Sequence, residues 1–196
     1  QAGSDAVMAL AAGKVRLREM VRAWMIVYIG NFIGATGTAV LVFLSGQYLQ
    51  GEGAVAGVAL KLAFDKATLP FDQAFFLGIL CNVLVCLAVW LGLAARSVSG
   101  KILAIVFPVS AFVAAGFEHS VANMYLIPLG LLIKDLAPAA LWPQLGASVG
   151  EFAGLTWPAF LQSLVPVTLG NIIGGGGLVG GVYWFIYLRN DRSASP

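Results

Sequence analysis

Between Ala23 and Gly51 the chain carries no charged residue, and between Gln73 and Ala95 it again carries none. A helix crossing the hydrocarbon core of a bilayer needs about 20 consecutive apolar residues. Both runs meet that length. A third stretch, Ile102 to Ile133, is interrupted only by Glu118 and His119, and a fourth, Phe152 to Leu188, is uncharged throughout. Long apolar runs separated by short islands of charge leave few folds other than a bundle of membrane-crossing helices.

Composition agrees. Of the 196 residues, 60% are hydrophobic and 10% charged, against about 45–50% and about 25% in soluble domains. A net charge of +2, with no basic run interleaved with aromatics, argues against nucleic acid as a partner. Cys81 and Cys86 are five apart in one apolar run and read as small buried hydrophobes; with no His or Cys cluster beside them they make no metal site. One histidine and no Cys-x-x-Cys-His run disfavour a haem protein, and no cofactor is expected.

The expected crossings are approximately residues 20–46, 71–95, 101–134 and 164–188, within a single transmembrane domain covering 1–196. Pro158 and Pro166 punctuate the last run, which is too long for one crossing, so the span proper is expected from about Pro166 onward, after a polar or re-entrant approach. Lys14, Arg16, Arg18, Arg22, Arg96, Lys101, Arg189 and Arg192 fall on one side of these spans, while Lys61, Lys66 and Lys134 fall on the other among acids. By the positive-inside rule both ends of this chain face the cytoplasm. Trp24, Tyr28, Trp90, Trp157, Tyr183, Trp184 and Tyr187 lie near span ends, where amphipathic rings favour the interface.

Gly30-Asn31-Phe32-Ile33-Gly34 in the first span and Gly170-Asn171-Ile172-Ile173-Gly174 in the fourth share one pattern. The two spans run in opposite directions, as an inverted-topology repeat requires. On that reading a first helix and the first part of a second belong upstream of residue 1, with Ser4–Gly13 as the tail of the second. Gly30, Gly34, Gly170 and Gly174 also stand at the i, i+4 spacing that lets helices pack closely in lipid. The four glycines 174–177 weaken the helix locally and predict a bend.

The third span holds the chemistry. Ala115-Gly116-Phe117-Glu118-His119-Ser120-Val121-Ala122-Asn123 places a carboxylate, an imidazole, a hydroxyl and an amide near mid-membrane. An ionisable group at that depth costs about 2.5–3.5 kcal/mol on insertion scales and normally faces a cavity or a partner. One reading is a buried Glu118–His119 pair tying helices together. The other is a helix broken around Gly116 to Ser120, whose second half opens with N–H groups that attract anions. Histidine suits a weak-acid path, since its ordinary pKa of about 6.5 lets it attract an anion when charged and hand over a proton to make a neutral acid. Ser120 beside a Glu–His pair is insufficient for a hydrolase, and no enzyme is expected.

At these residues the chain resembles the formate/nitrite transporter family, most of all its formate channel branch. The resemblance rests on the run from Gly116 to Tyr125 with Ile127-Pro128, on Val167 to Gly175, and on Leu77 to Asn82. It implies an all-α, aquaporin-like inverted-repeat bundle in a bacterial inner membrane, assembled as a homopentamer with a pore in each subunit. The four spans match the last four of that family's six. It further implies that His119, Asn171 and Phe112 line the pore, that Lys66, Glu118, Asn123 and Ser120 form a polar network, and that the solute is formate or a similar small weak-acid anion. Asn82 reads as helix-packing polar glue. Nitrite, hydrosulfide and lactate stay open as solutes; a water or glycerol channel is a further alternative, although there is no Asn-Pro-Ala pair.

Overall fold

The computed structural model of the chain describes residues 16–183 and residue 185. Ser4–Gly13, the basic residues Lys14, Arg189 and Arg192, the aromatics Trp184 and Tyr187 and the end of the fourth expected span lie outside the described residues. Among the described residues the regular structure is helical, with no strand. The helices are α1 (Leu17–Leu44), α2 (Ala54–Ala67), α3 (Phe71–Ala94), α4 (Val98–Ala114), α5 (Ser120–Leu136), α6 (Leu141–Leu145) and α7 (Trp157–Ile172). After α7 the chain continues as a π-helix, Ile173–Gly180, and a final turn, α8 (Gly181–Tyr183). Leu17–Leu44, Phe71–Ala94 and the run Val149–Gly180 are long and apolar enough to cross a membrane; Val98–Ala114 is apolar but shorter.

Packing divides the chain into two compact units. One consists of the described part of Gln1–Tyr28 and Val167–Pro196 together with Phe75–His119; the other of Ile29–Ala74 and Ser120–Pro166.

The second unit is built on α2 against α5. Ala56, Leu60, Ala63 and Ala67 are buried at the i, i+4, i+7, i+11 spacing of one helical face. Sequence reasoning treats this segment as a connection between spans, although that spacing was there to be read. A Cβ at Gly130 of α5 would overlap the Ala63 methyl, so the helices meet backbone to backbone. Within α5, Pro128 has no N–H, which leaves the carbonyl of Met124 without its intrahelical donor. Thr36 of α1 supplies one: its Oγ1 donates to Met124 O at 3.3 Å. Lys134, at the other end of α5, donates from Nζ to the carbonyl of Leu155 and lies 3.4 Å from Asp135. Phe160, fully buried, stacks on Phe32 with ring centroids 5.9 Å apart.

Helix α7 begins at Trp157, upstream of the expected 164–188 span. Thr156 accepts from Ala159 N through Oγ1 at 3.2 Å, and Pro158 falls in the first turn, where no N–H is needed. Pro166, taken from the sequence as the span's start, sits inside the helix.

In the first unit α3 packs against α7 and the π-helix at van der Waals distance. A Cβ on Gly78 would lie 2.9 Å from Val167 O and 3.3 Å from the Gly170 Cα; one on Gly170 would meet Phe75 O, and one on Gly174 would meet Ile79 O. The glycines at 174–177 adopt the wider π turn from Ile173 on. Tyr28 of α1 and Thr168 of α7 share a hydrogen bond of 2.9 Å between their hydroxyls.

Candidate pore site

Helix α4 stops because Gly116 lets it. Gly116 has φ 68, a left-handed conformation that a Cβ disfavours. Its N–H donates to Val113 O at 3.1 Å, and Phe117 N donates to Phe112 O at 3.0 Å. Those two bonds are the Schellman closure of a helix C-terminus, with glycine at the position that demands it. The next helix starts at Ser120, so Phe117, Glu118 and His119 form an irregular segment between two helix ends. Buried backbone outside regular structure needs hydrogen-bond partners from elsewhere.

Asn171 is one such partner. Its buried side chain donates from Nδ2 to Glu118 O at 3.0 Å and to Gly78 O at 2.9 Å. A carboxamide nitrogen carries two hydrogens, and these two bonds employ both. The amide nitrogen therefore holds protein backbone, joining the segment after α4 to α3. Asn82 of α3 in turn donates from Nδ2 to the backbone carbonyl of Asn171. Sequence reasoning had Asn82 as packing glue between helices; the specific acceptor was not legible.

His119 is partly buried, and its ring stacks on Phe112 with centroids 6.3 Å apart and planes inclined by 27°. The Schellman turn ends α4 between Phe112, in its last turn, and His119. Glu118 is buried, at 3% exposure. Phe112, Glu118, His119 and Asn171 thus belong to the same compact unit.

The other residues assigned to the polar network, Ser120, Asn123 and Lys66, fall in the other unit. Ser120 and Asn123 are buried in the first turn of α5, and Lys66 is partly buried in the last turn of α2. Of the four glycines read as packing positions, Gly170 and Gly174 lie against α3, whereas a Cβ at Gly30 or Gly34 would find nothing within 4 Å. Sequence similarity between the two Gly-Asn motifs therefore does not extend to their surroundings within this chain. Thr36 and Thr168, which the structure ties into helix contacts, gave no stronger signal than being hydroxyls in apolar spans, while Tyr28, read as an interface aromatic, shares its hydroxyl with Thr168.

A family model described as formate/nitrite transporter matches residues 5–185. The chain belongs to the formate/nitrite transporter family. Among its relatives in that family, the formate channel FocA of Escherichia coli K12 is 44% identical over 186 residues, covering 94% of this chain and 65% of that protein. The formate channel FocA of Haemophilus influenzae Rd is 38% identical over 175 residues, covering 89% and 62%. The chain thus spans just under two thirds of the length of these relatives. A solved pentameric formate channel with formate bound is similar in fold, with a TM-score of 0.84 and 42% identity over 90% of this chain and 70% of that one. A solved formate/nitrite transporter family ion channel has a TM-score of 0.74 and 30% identity, over 93% and 67%.

Proposed function

We propose that this chain is part of a channel that carries formate across a bacterial cytoplasmic membrane, as the anion or as its neutral acid, past His119. The observation that carries the reading is the placement of His119. It stands on the apolar ring of Phe112, in a segment whose backbone is held by Asn171 between the end of one helix and the start of the next. The start of α5 follows directly in sequence, and a helix start favours negative charge. An apolar ring beside an imidazole is a place where a bare anion loses hydration while a neutral acid loses far less. A proton passed from His119 to the arriving anion resolves that conflict.

In this reading Phe112 is the apolar constriction, Asn171 shapes the pore wall at His119, and Glu118, Ser120, Asn123 and Lys66 form the polar surroundings. The four crossings act as the last four of six in an aquaporin-like protomer, with both ends of this chain cytoplasmic and five protomers assembled in the bilayer. Formate takes precedence over nitrite, hydrosulfide and lactate because the relatives and the solved neighbour are named for it.

The test is uptake by proteoliposomes holding the complete protein. Rapid entry of formate without entry of glycerol is expected, and replacement of His119 should change both the rate and its pH dependence with the assembly intact. Glycerol entry without formate entry, or unchanged flux after replacing His119, would overturn the reading.

A further inference from the structure

The bond from Asn82 falls at a particular place in the helix it serves. Asn171 is the last residue but one of α7, and the π-helix begins at Ile173. Where α-helical turns give way to π turns, i→i+4 bonding changes to i→i+5. The Asn171 carbonyl stands at that junction. Asn82 Nδ2 donates to that carbonyl. Space for it comes from Gly175, where a Cβ would stand 2.6 Å from Asn82 Nδ2 and 3.2 Å from Cys86 Sγ. The Asn171 side chain meanwhile donates to Glu118 O and Gly78 O. One asparagine thus holds the backbone of a second, whose side chain holds the backbone next to His119.

We propose that Asn82 is a positioning residue for the pore: by capturing the Asn171 carbonyl where α7 widens into the π-helix, it sets where the Asn171 amide points and so where the Phe117–His119 segment lies. The chain of donation runs Asn82 to Asn171 to Glu118, across two helices and into the segment between α4 and α5. Asn82 touches no solute in this account. Its effect reaches the pore only through Asn171. A packing role alone predicts something different, since an Asn that merely glues α3 to α7 would loosen those two helices and leave the His119 segment as it was.

The inference rests on the proposed transport function only for its flux readout, so the experiment uses a second readout that does not need transport. Hydrogen exchange by mass spectrometry is measured on the complete protein, wild type and Asn82→Leu, with Thr36→Val as a control in the other unit. Exchange across residues 115–121 should quicken by about tenfold in Asn82→Leu, the equivalent of one lost net hydrogen bond, and stay unchanged in the control. Formate flux should fall by a similar factor, and Asn82→Leu added to Asn171→Leu should lower it no further, because both act through one path. If Asn82→Leu fails to assemble, Gly175→Ala replaces it: its methyl would crowd Asn82 Nδ2 at 2.6 Å, displace it from the Asn171 carbonyl and should quicken the same exchange. Unaltered exchange at 115–121 in the variant that folds, or additive losses in the double variant, would overturn the proposal. A wild type with no formate flux would refute the transport reading alone, leaving the exchange result to decide on Asn82.

Discussion

Asn171 Nδ2 lies 3.0 Å from the carbonyl oxygen of Glu118, so a side chain from α7 holds the peptide that directly precedes His119. The two residues are 53 apart in sequence. A buried non-helical segment draws donors from another element, and a carboxamide with two hydrogens serves both this segment and Gly78 of α3 at once.

Replacing Asn171 by Leu removes the hydrogen bonds to the carbonyls of Glu118 and Gly78. Each such bond contributes about 0.5–1.5 kcal/mol net. We expect a clear drop in thermal stability and a loss of formate flux larger than that of any substitution on the outer faces of the helices; thermal unfolding in detergent and flux in liposomes measure the two.

His119→Ala is expected to lower formate uptake at least about tenfold and to flatten its pH dependence. Stopped-flow uptake across pH in proteoliposomes gives the answer. A variant that keeps the wild-type pH profile shows that the imidazole plays no part in proton transfer.

Gly116→Ala has room, since nothing lies within 4 Å of the added methyl, but its φ of 68 is unfavourable for any L side chain. A cost of about 1–2 kcal/mol is expected, and more for Gly116→Val, whose branched Cβ fits that conformation worse. The difference between the two in thermal unfolding checks that the strain is in the backbone.

Gly170→Ala and Gly30→Ala look alike in sequence and should differ in outcome. At Gly170 the methyl would strike Phe75 O and crowd Ile79 N at 3.0 Å, whereas Gly30 has no neighbour within 4 Å inside this chain. Overpacking of this kind costs about 1–3 kcal/mol, so Gly170→Ala should unfold markedly sooner than wild type. Equal stability of the two variants would show that contacts from outside this chain load Gly30 as heavily.

Thr36→Val keeps shape and removes the hydroxyl that serves the Met124 carbonyl opposite Pro128. About 1 kcal/mol is expected. Restoring the intrahelical donor by Pro128→Ala in the same background should recover part of it, and a double-mutant cycle reads the coupling directly.

Much of the architecture was legible from residue order. Uncharged runs marked the long helices, and a glycine in front of Phe-Glu-His marked the end of α4, because hydrophobic length and left-handed backbone leave local signatures in the residue types they need. Helix α2 shows the limit of reading charge first: Lys61, Asp65 and Lys66 suggested a connection, while the apolar face at Ala56, Leu60, Ala63 and Ala67 decided for a helix packed on α5.

The family motif and the residues it points to were available in the sequence alone, since Glu118-His119-Ser120 and Gly170-Asn171 are local strings. Their geometry was not. That Asn171 spends its amide hydrogens on Glu118 and Gly78, that Asn82 holds the Asn171 carbonyl, and that two matching glycine motifs have unlike surroundings are facts about residues brought together from distant parts of the chain. Local composition specifies which backbone conformations are affordable at each position; which buried carbonyl meets which donor is settled only when helices pack, because that choice depends on distances that no single segment contains.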